Sequence, residues 1–100
     1  MTNLETLVLS GNKVSNLEFL SNNNKLTYLC LDENPIEDLS ILSGLSNLKS
    51  LSIINCNLTN LNGIEKFTSL RELKAFDNKL DEDQKDYYLE FFTQLEEVEI

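Results

Sequence analysis

Leucines at positions 4, 26, 48 and 70 open four stretches that lie in phase, each 22 residues after the last. The first reads LETLVLSGNKVSNLEFLSNNNK, the second LTYLCLDENPIEDLSILSGLSN and the third LKSLSIINCNLTNLNGIEKFTS. The fourth opens LRELKAFDNKL and then departs, and a fifth opening, LEEVEI, closes the chain 25 residues after Leu70. A unit this short cannot bury an apolar face by itself, so the period restricts the chain to architectures in which successive units stack and share one core.

Within each unit the apolar spacing changes. Leu7 and Leu9, Leu29 and Leu31, and Leu51 and Ile53 are two residues apart, which turns one face of a short strand inward. Later apolar residues come every three positions, which suits a tight helical or 3₁₀ return. Five strands at about 4.8 Å spacing span roughly 20 Å, and the inward leucines of neighbouring units become one continuous core. At the ninth position, where the chain leaves the strand, Asn12, Asn34 and Asn78 recur and offer amides to stranded backbone groups, while Cys56 takes that place in the third unit.

The pattern L-x-x-L-x-L-x-x-N-x-L runs through every unit, its sixth position filled by Leu9, Leu31, Ile53, Ala75 and Ile100. It resembles the leucine-rich repeat family over essentially the whole chain, and the 22-residue length is similar to the internalin and phosphatase-regulator types. The resemblance implies an α/β fold: a short, right-handed leucine-rich-repeat solenoid with a parallel sheet on the concave face and short helical or 3₁₀ returns on the convex face. Residues 1–100 then form one domain, with repeats from 4, 26, 48 and 70 and a C-terminal cap at 81–100. The family's pattern also accepts cysteine at the ninth position, so Cys56 is expected to be a buried rung of the core.

A solenoid exposes core at its ends unless something covers it. After Leu80 the spacing predicts an amphipathic capping helix: Asp81 and Gln84 form a capping box, and Tyr88, Leu89, Phe92 and Leu95 recur at helical intervals. The aromatic residues of this segment are read as cap core. The stretch YYLEFFTQLEEVEI resembles the cap that follows the last repeat in acidic nuclear phosphoprotein and spliceosomal leucine-rich families. At the other end, either the first unit caps itself, with Ser10, Gly11 and the SNNNK return, or the chain is a piece of, or a docking partner for, something longer; its first strand is an edge able to pair with another chain, self-association included.

Strand residues that alternate with the buried leucines point to solvent on the concave face. The expected partner-binding set is Val8, Tyr28, Cys30, Asp32, Glu33, Ile54, Glu72, Lys74, Phe76 and Asp77. Val8, Tyr28, Ile54 and Phe76 supply an apolar centre and the acids a charged rim, the arrangement of a protein-binding patch. Cys30, at a fifth position, is expected to be exposed on this face, opposite Cys56 and unable to bridge to it. Its acidic neighbours argue against a reactive nucleophile.

Composition excludes several function classes. A net charge of −9 disfavours direct capture of nucleic acid or of an anionic membrane surface and favours a protein partner with basic character. With no histidine, no nucleophile elbow and no glycine-rich phosphate loop, the parts for catalysis and for a cofactor or zinc site are missing. Asp77, Asp81, Asp83 and Asp86 fail the calcium-loop register, since Glu82 falls where glycine is needed. No leader or membrane-spanning run is legible, so the cytoplasm is the expected compartment. The expected function is a non-catalytic protein–protein interaction module. The alternative is an acidic inhibitor that occupies the basic groove of a nucleic-acid-binding protein, because residues 81–100 hold eight acids against Lys85 alone.

Overall fold

The computed structural model describes residues 5–11, 25–36, 39–42, 44–93 and 95–100. Leu4, Asn12 and the stretch from Ser21 to Asn24, on which the expected N-terminal self-cap rests, lie outside them. Five three-residue strands form one parallel sheet in chain order: β1 Thr6–Val8, β2 Tyr28–Cys30, β3 Ser50–Ser52, β4 Glu72–Lys74 and β5 Glu97–Glu99. The register repeats the sequence period, with Leu7, Leu29, Leu51, Leu73 and Val98 side by side across the sheet. The last step spans 25 residues, and the extra length is taken up by a helix, α1 (Glu82–Phe91), where earlier units use 3₁₀ turns at Leu39–Leu42 and Ile64–Lys66.

Each unit sends its leucines to the same side. Leu26, Leu29, Leu31, Leu48, Leu51, Ile53, Leu73 and Ala75 are all buried, joined by Ile36, Leu39, Leu42, Leu58, Leu61 and Ile64 from the returns. Burying a leucine fully is worth about 1.5–3 kcal/mol, so this layer supplies most of the drive to stack. The strands are short because the chain must turn away after the sixth residue, and the turn is built the same way each time. Gly11, Glu33, Asn55 and Asp77 all occupy the eighth position and all have positive φ, between 55° and 69°. Their amides continue the ladder beyond the strands, with Gly11 N–H donating to Asp32 O, Glu33 N–H to Ile54 O and Asn55 N–H to Phe76 O.

The ninth position then closes the turn. Asn34 Nδ2 donates to Leu9 O at 2.8 Å and to Leu31 O at 3.0 Å, tying one repeat to the next. Asn78 repeats this with Ile53 O and Ala75 O, both at 2.8 Å, and its Oδ1 accepts from the amides of Cys56 and Leu58. Cys56 is fully buried, and its thiol donates to Leu31 O at 3.1 Å. It therefore does part of the asparagine's work besides packing, and burial pushes its thiol pKa up.

The cap follows the expected capping box: Asp81 Oδ1 accepts from Gln84 N–H at 2.8 Å, and Gln84 Oε1 accepts from Asp81 N–H at 3.2 Å. Its interior differs from the spacing-based expectation. Tyr88 and Phe92 are buried, but Leu89 is exposed, and so are Tyr87 and Phe91. The doublets Tyr87–Tyr88 and Phe91–Phe92 split between two faces, because a helix only three turns long turns one residue of each pair inward. Tyr88 is selected by its hydroxyl, which accepts from Leu61 N–H at 3.1 Å and donates to Asn62 Oδ1 at 3.4 Å. Burial raises the pKa of that hydroxyl.

Candidate functional site

The outward face of the sheet is three rows of side chains set by the register. The third positions give Thr6, Tyr28, Ser50, Glu72 and Glu97; the fifth positions give Val8, Cys30, Ser52, Lys74 and Glu99. The seventh positions, just past the strands, give Ser10, Asp32, Ile54 and Phe76. In the middle of this grid the small residues Ser50 and Ser52 stand between Tyr28 on one side and Glu72 and Lys74 on the other. The result is a depression of about 200 Å³ lined by Tyr28, Asp32, Ser50, Ser52, Ile54 and the Glu72–Lys74 pair. Its walls stand two strand spacings apart, roughly 10 Å.

This geometry changes the expected patch in three respects. Cys30, expected to be exposed, is 7% exposed. Its side chain is short, and its sulfur makes a 3.0 Å hydrogen bond with Ser10 Oγ, so it is a buried residue of the sheet rather than an exposed contact group. Ile54 is half-buried, so the exposed apolar residues of this face are Val8, Tyr28 and Phe76. Asp32 is half-buried as well and is engaged within the protein: one carboxylate oxygen accepts from Ser52 Oγ at 2.6 Å and from Ile54 N–H at 2.8 Å. Its charge braces the second repeat against the third. Glu33 and Asp77 are exposed but sit at the left-handed turn position, so their backbone has a structural task that outward-facing reading alone does not reveal. Glu72 is partly exposed and Lys74 exposed, on adjacent rows of the wall.

Cys30 and Cys56 are both free thiols. Among the described residues no group of three or more histidine, cysteine, aspartate or glutamate side chains is placed to hold a metal ion. Among them, too, no helix is long and apolar enough to cross a membrane. The outer sheet face therefore offers shape, a few exposed apolar groups and flanking charge.

Comparison with known proteins agrees with this architecture. The family model described as Leucine Rich repeats (2 copies) matches residues 2–44. Among solved structures, internalin C2 from Listeria monocytogenes superposes with a TM-score of 0.80 at 33% identity, covering 95% of this chain and 41% of that one. A leucine-rich repeat protein from Leptospira interrogans gives 0.82 at 26% identity, covering 95% of this chain and 25% of that one. Internalin F from Listeria monocytogenes gives 0.76 at 26% identity, with 99% and 35% covered. A curated relative, acidic leucine-rich nuclear phosphoprotein 32 family member A from Drosophila pseudoobscura pseudoobscura, is 41% identical over 56 residues, which is 55% of this chain and 21% of that protein. The chain thus spans less than half the length of each of these proteins. The 22-residue period, the one-strand-per-repeat parallel sheet and these likenesses together show a leucine-rich-repeat solenoid fold, similar to that of the internalins.

Proposed function

We propose that the chain is a non-catalytic module that binds a protein partner with the outer, concave face of its sheet. The observation that carries this is the depression over Ser50 and Ser52, walled by Tyr28 and by Glu72 and Lys74, with Val8 and Phe76 exposed nearby. A small polar floor between taller walls admits a side chain from a partner, and exposed aromatics on a rigid sheet are the usual anchors of such contacts. Val8, Tyr28, Ile54, Glu72, Lys74 and Phe76 form the contact set; Glu33 and Asp77 are rim groups, Asp32 lines the depression, and Cys30 is buried beside Ser52 in the register.

The direct test is affinity purification from the native host with three baits: the unaltered chain, Tyr28→Ala/Phe76→Ala, and Ser52→Arg. Lys74 already holds a long basic side chain at the equivalent position of the next strand, so Ser52→Arg fills the depression without asking for a new backbone. Partners that bind the sheet are lost from both variants while circular dichroism is unchanged. Identical partner sets on all three baits would remove the face from consideration.

A second reading is carried by charge. Residues 81–100 have a net charge of −7, with Glu97 and Glu99 exposed on the last strand, and one curated relative is itself an acidic leucine-rich phosphoprotein. In this reading the acids occupy the basic groove of a nucleic-acid-binding protein. Its partner is released steeply by salt and displaced by nucleic acid; a complex indifferent to both contradicts it.

A further inference from the structure

The outer sheet face does not account for the exposed apolar surface of the cap. On α1, Tyr87, Leu89 and Phe91 are 56%, 50% and 42% exposed, more than Tyr28 or Phe76 on the sheet. Tyr87 and Phe91 are four residues apart on one helix face, with ring centroids 6.4 Å apart. Each ring borders a depression between α1 and the 3₁₀ turn of the third repeat. The Tyr87 depression, about 470 Å³, is lined by Glu65, Asp81 and Asp83. The Phe91 depression, about 100 Å³, is lined by Ile64, Phe67 and Leu95 and shares Glu65. Among the described residues, no lysine or arginine lines either one.

An apolar helix face rimmed by one sign of charge constrains its occupant. Residues 81–100 carry a net charge of −7, so the same face of a second copy, a nucleic acid and an anionic bilayer are all repelled. A cation over an aromatic ring, with carboxylates at its far side, is favoured by both the ring quadrupole and Coulomb attraction. The 6.4 Å between the two rings also matches the distance between alternate residues of an extended chain, which place their side chains on one side about 6.6 Å apart.

We propose that this face of the cap is a second docking site, separate from the sheet, for an extended basic segment of a partner protein. An arginine or lysine lies against Tyr87 and the Glu65, Asp81 and Asp83 carboxylates, and an apolar residue two positions away packs on Phe91. The site uses the exposed half of each aromatic doublet, while Tyr88 and Phe92 hold the helix in place from beneath.

The test pans a random twelve-residue peptide library displayed on phage against the intact chain, then measures the enriched peptides by fluorescence anisotropy. The expected result is enrichment of peptides with Arg or Lys and an apolar residue two positions away. Their affinity falls at least tenfold with Tyr87→Ala and with Glu65→Lys, and is unchanged with Ser52→Arg on the sheet. Both cap residues are exposed, and retained circular dichroism confirms that these variants fold. Failure to enrich any peptide, enrichment of peptides without a basic residue, or equal binding by Tyr87→Ala would overturn the proposal. Peptides lost only with Ser52→Arg would overturn it while supporting the sheet face. Binding that vanishes with added salt but ignores Tyr87→Ala would reduce the site to diffuse charge and overturn it as well.

Discussion

Glu33 holds, at a φ of 62°, the place that Gly11 fills at 69° one repeat earlier, Asn55 at 55° one repeat later and Asp77 at 58° after that. Glycine, asparagine and aspartate visit the left-handed region readily, whereas glutamate pays for its Cβ there, by about 1 kcal/mol or somewhat more. Glu33→Gly is therefore expected to raise stability by about 0.5–1 kcal/mol, and Gly11→Ala to lower it by about 1 kcal/mol, both read from urea midpoints. A β-carbon on Gly11 would meet nothing closer than Glu33 Oε2 at 3.9 Å, so backbone conformation rather than crowding sets that cost. The signal for this turn lay in the sequence as an in-phase column of Gly, Glu, Asn and Asp. Outward-facing reading assigned Glu33 and Asp77 to a contact rim and passed over what the backbone required of them. Cys30 was beyond sequence reading for another reason: its burial depends on the heights of Ser10, Ser52 and the longer side chains around them, which no single repeat contains.

The two thiols give a second test at the same scale. A thiol reagent is expected to modify neither Cys30 nor Cys56 quickly in the folded protein and both after denaturation, since both are buried. Cys56 also links stability to alkaline pH. Its folded pKa is raised by burial, so below the unfolded thiol value of about 8.5 its contribution is fully present. Above that value the unfolded chain releases a proton that the folded chain keeps, and stability falls as pH rises toward the folded pKa. Between pH 7.5 and 9.5 this group is therefore expected to make stability decline as pH rises. Cys56→Ala, although less stable at pH 7.5, is expected to show a shallower decline over that range; an equal slope would show that the thiol is not the titrating group.

Among the elements, α1 carries the most information that the repeats do not. The repeat motif, rather than the period, predicted where β5 falls, because LEEVEI restores the pattern 25 residues after Leu70, and the register Leu73 beside Val98 follows. Helical spacing after Leu80, with Asp81 and Gln84, predicted the helix and its capping box between them. The orientation of α1 was not legible in the same way: YYLEFF offers two overlapping apolar faces, and the choice between them is made by Tyr88 Oη reaching the amide of Leu61 in another repeat. Tyr88→Phe keeps the ring and removes that acceptor, leaving a buried N–H without its partner. The expected cost is about 1–3 kcal/mol, with faster amide exchange at Leu61 in hydrogen-exchange measurements. Tyr87→Phe, on the exposed face, is expected to change stability by less than about 0.5 kcal/mol. Similar losses for both would mean that the hydroxyl does not orient the cap.

Over the whole molecule, stacking was readable because one spacing recurs, and each repeat's leucines meet the same leucines of its neighbour. The proposed binding face was half readable. Alternation along the strands identified which residues point outward, but the depression exists only because the small residues Ser50 and Ser52 of β3 lie beside Tyr28, Glu72 and Lys74 across the register. The central claim is that this outer face meets the partner. A photo-crosslinking amino acid in place of Phe76, compared with one in place of the exposed Thr59 beyond the turn, reads that contact directly in the native host. A covalent partner adduct from position 76, absent from position 59 and lost when Ser52→Arg is added, is the expected result. Adducts from position 59 and none from position 76, or adducts from position 76 that survive Ser52→Arg, would contradict it.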